Sequence, residues 1–156
     1  MDEKVRSILA QLRRSPEFDE DADFSNVNVC AIDGDNALHW ASRSGDSVAA
    51  KALIAAGINV NKAGDLGYTP LHVACMQGDL EMIKLLLANG ADLFARSEGD
   101  VPFTSARRGG HDQVCDFLGP LMKRAQSQDP HIWMRTRIEE LQREIAYLER
   151  RINSKE

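Results

Sequence analysis

The chain is poor in the features by which many functions announce themselves. Its 156 residues include three cysteines, Cys30, Cys75 and Cys115, an odd number with no Cys-x-x-Cys spacing. That argues against a disulfide framework or a zinc site. Apolar residues make up 43% of the chain but form no run long enough to cross a membrane. The opening Met1-Asp2-Glu3-Lys4 lacks the apolar stretch of a signal peptide, so the expected location is cytoplasmic. Basic residues are scarce through the middle. Between residues 17 and 100 there are 14 acidic side chains against five basic ones, a net charge of −9 within an overall −5. A phosphate backbone would be repelled by such a segment. Catalytic constellations are missing as well: no nucleophile with an adjacent base, no paired carboxylates, no metal cluster and no phosphate loop stands out. Arg107-Arg108-Gly109-Gly110 lacks the strand-loop-helix context of a P-loop. His131 has no second ligand in view. The chain is therefore expected to be neither an enzyme nor a cofactor or metal binder.

What the chain does have is a string that nearly repeats. Gly34 opens GDNALHWASRSGD, Gly67 opens GYTPLHVACMQGD and Gly99 opens GDVPFTSARRGGHD, at spacings of 33 and then 32 residues. Leu38, Leu71 and Phe103 are the apolar anchors, Ala41, Ala74 and Ala106 the small residues three positions on. Gly45, Gly78 and Gly110 close each first helix, and Leu53, Leu86 and Leu118 lie in each second one. Such a period predicts stacked units of helix, glycine turn, helix and β-turn-like finger, each burying its apolar face on the next.

The middle copy carries Thr69-Pro70-Leu71-His72-Val73-Ala74, then Gly78-Asp79, Leu85-Leu86-Leu87 and Gly90-Ala91-Asp92, and resembles an ankyrin repeat. The resemblance runs from about Val27 to Leu118 and implies an all-α solenoid. The first copy has Asn36-Ala37 in place of Thr-Pro, and Ala49 and Ala50 in place of Met82 and Ile83, which predicts a thinner core. The third has Thr104 in place of His39 and His72, lacks one residue in the preceding loop and carries Gly119-Pro120, which predicts a kink or a fresh helix start at Pro120. The resemblance assigns His39 and His72 to structural hydrogen bonds. His111 begins a helix where polar residues are common in the family, and Cys115 aligns with Ile83 as a small core residue.

Family resemblance also places the recognition surface on the finger tips and on the inner face of the first helices. Carried over by alignment, these positions are Ile32, Asp33, Asp35, Trp40, Arg43 and Ser44; Asp65, Leu66, Tyr68, Val73, Met76 and Gln77; and Glu98, Asp100, Ser105 and Arg108. Acidic fingers with Trp40, Tyr68 and Met76 as anchors suit a protein partner with a basic surface.

The flanks differ from the repeats. Val5, Ile8, Leu9 and Leu12 form one apolar stripe on a short helix, expected to cap the first repeat. An acidic stretch from Glu17 to Asp23 follows, with Phe18 and Phe24 as its aromatics; it is either a solvated linker or an arm pinned by those rings. Toward the other end, Asp129-Pro130 is a good helix start. Met134, Ile138, Leu141, Ile145, Leu148 and Ile152 then recur at heptad spacing over about 24 residues, roughly 36 Å of helix. Self-association through this seam, docking on the last repeat and pairing with another protein all stay open. In a parallel homodimer Glu144 would meet Glu149, an unfavourable pairing.

The expected organisation is a cap and acidic linker over 1–26, repeats over 27–122 (about 34–66, 67–98 and 99–122) and a heptad helix over 123–156. The expected function is non-enzymatic protein binding, as an inhibitor or immunity-type protein acting by occlusion. The alternative is an adaptor that self-associates through the heptad helix, as a homodimer.

Overall fold

A computed structural model describes residues 2–19, 21–132, 134–138, 141, 142, 145 and 149. Its helices are α1 (Glu3–Leu12), α2 (Ala37–Ser44), α3 (Ser47–Ala55), α4 (Pro70–Gln77), α5 (Leu80–Ala88), α6 (Pro102–Arg108) and α7 (Asp112–Gln128). Helical residues resume at Ile132. Among the described residues there is no β-strand, only isolated bridges between Cys30 and Asn36 and between Ser97 and Asp100 within two of the fingers.

Each repeat is punctuated by its own residues. The side chain of Asn36 accepts from the Leu38 and His39 N–H groups, and those of Asp46 and Asp79 cap α3 and α5. These caps satisfy helix-start donors that have no partner within the helix. Gly45 and Gly78 end α2 and α4 at φ of 70° and 72°, a conformation that costs a residue with a Cβ. Helices α2, α4 and α6 stack as an inner row, while α1, α3 and α5 form an outer one and α7 packs back on α6. The core runs continuously between the rows through Leu38, Leu53, Leu71, Met82, Ile83, Leu86, Val114 and Leu118.

Helix α1 buries Val5, Ile8, Leu9 and Leu12, the predicted stripe, and lies mainly on α3. The buried Ala49 and Ala50 replace the bulk of Met82 and Ile83, and the side chains of α1 join the same core there. The acidic stretch is an arm held against the repeats. Phe18 and Phe24 pack on the core and on each other at 5.3 Å, and the Ile32 N–H donates to the Glu17 carbonyl at 2.8 Å.

The predicted fresh start at Pro120 is not found, because α7 runs through it from Asp112 to Gln128. Buried Leu118 and the half-buried Leu121 and Met122 hold one face of the helix on both sides of the proline. The Asp116 carbonyl, which loses its usual donor at Pro120, belongs to an exposed residue with solvent at hand. Cys115 is half-buried rather than fully enclosed, since no further repeat stacks on that side of α7. Asp129 does start a helical segment: its carboxylate accepts from the His131 N–H at 3.1 Å and pairs with Arg135. The seam residues Met134, Ile138, Leu141 and Ile145 are 43, 51, 40 and 55% exposed, so those four are not buried on the last repeat. Leu148 and Ile152 lie outside the described residues.

Candidate protein-binding face

The fingers are closed by backbone bonds one repeat apart. Ala31 donates to the Asp35 carbonyl and Gly64 to that of Tyr68, each at 2.8 Å; Ser97 donates to Asp100 at 2.9 Å. The last closure spans one residue fewer, the structural form of the shortened third repeat. At the second and third tips, Leu66 and Glu98 adopt φ of 52° and 46°.

Histidine side chains tie helix starts to neighbouring fingers. The Nδ1 of His39 accepts from the Asn36 N–H at 3.0 Å, which leaves Nε2 to donate to the Tyr68 carbonyl at 3.0 Å. His72 repeats the first contact, with the Thr69 N–H at 3.1 Å. Its Nε2 finds no partner of normal geometry, although the Asp100 and Ala95 carbonyls of the shorter third finger lie near enough to pull on the ring. Burial pushes both imidazoles down, that of His72 to about 4, against the opposing pull of nearby carbonyls and acids. Both are neutral and structural. Burial also raises the Cys75 thiol to about 12, leaving it no thiolate character near neutrality.

Eight of the sixteen predicted binding residues surround one open cleft of about 340 Å³ on the inner row: Asp35, Arg43, Asp65, Leu66, Tyr68, Val73, Met76 and Gln77. Leu66, Met76 and the predicted Ile32 are exposed apolar side chains. The cleft is less acidic than the sequence suggested. Arg43 Nη2 donates to Asp35 Oδ2 at 2.7 Å, and Arg108 pairs with Asp100, whose carboxylate raises the Arg108 guanidinium further above its ordinary range. Asp33, Asp65 and Glu98 stay exposed at the tips.

One predicted position is corrected. Ser105 is only 2% exposed, with a hydroxyl that has no protein partner, and cannot meet a ligand directly. It shares a column with Trp40 and Val73, which are half-buried and buried. Within that column only Val73 reaches the cleft. Ser44 stays exposed and bonds back to the Trp40 carbonyl at 3.0 Å.

Two features went unnoticed in the sequence. Asn28 and Asn61, one period apart, link successive repeats. The Asn59 N–H donates to Asn28 Oδ1, and the Asp92 N–H to Asn61 Oδ1, each at 2.7 Å; Asn61 Nδ2 donates to the Gly90 carbonyl at 2.8 Å. Their shared spacing was the available signal. The other is the contact made by His111, read above only as a polar helix start: at the position of the capping Asp46 and Asp79, it reaches across to the Met76 carbonyl at 2.8 Å. Among the described residues no group of His, Cys, Asp or Glu could hold a metal ion, and no helix is long and apolar enough to cross a membrane.

A model of ankyrin repeats in three copies matches residues 5–97. The chain belongs to the ankyrin repeat family. The match begins within α1, so the ankyrin pattern includes the helix expected to be a cap. The chain is 40% identical over 94 residues, 59% of its length, to the tyrosine-protein kinase Shark of Drosophila melanogaster, of which the matched part is 10%. It is 37% identical over 67 residues, 42% of its length, to mouse protein phosphatase 1 regulatory subunit 27, covering 44% of that protein. With human ARF GTPase-activating protein GIT2 it shares 34% over 113 residues, 71% of this chain and 14% of the relative. The chain thus spans less than half of each of these proteins. Ankyrin repeats form a protein-interaction module, and the matched stretch is a small part of the much larger kinase relative.

Proposed function

We propose that this ankyrin protein binds another protein through its inner face and acts by occluding the surface it holds. The observation that carries this is the cleft, where residues drawn from two repeats, the apolar Leu66, Tyr68, Val73 and Met76 beside the charged Asp35, Arg43 and Asp65, meet on one surface. Buried anchors within a polar rim are the usual form of an energetically effective interface. The exposed Asp33, Asp65 and Glu98 at the tips favour basic groups on the partner. The relative whose name makes it a regulatory subunit of a phosphatase is in keeping with regulation by binding. The test is affinity capture from the source cells, comparing wild type with Met76→Asp and with a triple Asp33→Lys, Asp65→Lys, Glu98→Lys variant. A partner retained by wild type, and lost by both variants without a fall in melting temperature, supports the proposal. Equal capture by all three removes it.

A second proposal is an adaptor that self-associates through the heptad seam, favoured by the exposure of Met134, Ile138, Leu141 and Ile145. Sedimentation equilibrium distinguishes it: a dimer that becomes a monomer with Ile138→Asp supports it, and a monomer at high concentration sinks it.

A further inference from the structure

Three rungs cross the inner face, each setting the residue two before an inner helix opposite one eight positions later in or near its last turn: Asp35 with Arg43, Tyr68 with Met76, and Asp100 with Arg108. The outer rungs close as ion pairs, Arg43 on Asp35 at 2.7 Å and Arg108 on Asp100. The middle rung carries no ion pair; with Leu66 and Val73 it lines the cleft, and the Tyr68 side chain also meets Arg108. The carboxylates of Asp35 and Asp100 are therefore engaged from within. Arg43 and Arg108 remain 51 and 63% exposed, and each guanidinium, with five N–H donors in all, keeps some for further partners. The face consequently has two charged edges of opposite sign. Asp33, Asp65 and Glu98 lie at the finger tips, whereas Arg43 and Arg108 lie at the helix ends.

Resting on the protein-binding proposal above, we infer that the groove takes a two-sided partner segment. It would place one bulky apolar side chain against Tyr68 and Met76, basic groups toward the finger tips and acidic groups toward Arg43 and Arg108. Opposite-sign edges select orientation as well as composition, since the reversed segment meets like charge on both sides. A uniformly basic segment matches the tips but is opposed at the helix ends.

Selection of a random peptide phage library on the full chain tests this, with binding of the enriched peptides then measured by fluorescence polarisation. The expected peptides carry a bulky apolar residue between basic and acidic groups. Met76→Asp or the milder Met76→Gln weakens them about tenfold or more. The pair Arg43→Gln and Arg108→Gln weakens them and shifts a repeated selection toward basic sequences. Circular dichroism melts establish that each variant is folded. Purely basic peptides that ignore the arginine changes but are lost with Lys at 33, 65 and 98 overturn the two-sided inference and leave the protein-binding proposal standing. No enrichment, or binding indifferent to Met76 and to both charge sets, overturns both.

Discussion

His39 Nε2 lies 3.0 Å from the carbonyl oxygen of Tyr68, so one imidazole joins the start of α2 to the next finger. Making both of its bonds requires the neutral ring, because Nδ1 accepts from the Asn36 N–H while Nε2 donates. Protonation would turn that acceptor into a donor aimed at another donor.

Stability should consequently depend on acid. The folded His72 value, about 4, lies below the ordinary 6.5, and that of His39 is also lowered. The unfolded chain then binds more protons through this window, so stability is full above about pH 6.5 and falls as the pH drops toward 4. His72 alone represents roughly 3 kcal/mol at the acid end. Urea unfolding at pH 7.0, 5.5 and 4.5 checks this; a midpoint that does not decline would contradict it.

Asn61→Ala removes the acceptor of the Asp92 N–H and the donor to Gly90 in one step. A loss of about 1–2 kcal/mol is expected. Chemical denaturation gives the value directly, and an unchanged midpoint would mean that these inter-repeat links are incidental.

Gly57 and Gly78 both have positive φ, 84° and 72°, yet only Gly78 faces a side chain, that of His111. Gly57→Ala should cost about 1 kcal/mol for the left-handed backbone. Gly78→Ala should cost at least about 1 kcal/mol more, since it displaces the ring that bonds the Met76 carbonyl. Equal losses in paired unfolding curves would rule out a supporting role for His111.

Leu9→Ala opens a cavity where α1 meets the core, and a loss of about 2–5 kcal/mol is expected. If calorimetry shows a melting temperature within a degree of wild type, α1 is not an integral part of the solenoid.

The scaffold was legible because it repeats. Leu38 and Leu71, or Gly45 and Gly78, do the same work one period apart, and stacking makes that work visible as spacing. The candidate face was legible in position, since eight aligned residues do converge on one cleft. Its charge was not. Asp35 and Asp100 count as acids in any sum, but Arg43 and Arg108 reach back two helical turns to meet them. Ser105 was misplaced for a related reason: alignment gives a residue's column, whereas the separation of neighbouring helices decides whether that column is open.

By itself the sequence determined the repeat unit, its glycine turns and the apolar stripe of α1, because each follows from local spacing and backbone preference. Tertiary structure alone decided which carboxylates remain at the surface, that α7 continues through Pro120, and that His39 rather than His72 completes its bond to the next finger. Those outcomes depend on distances between units, and such distances are set only when one repeat closes on the next.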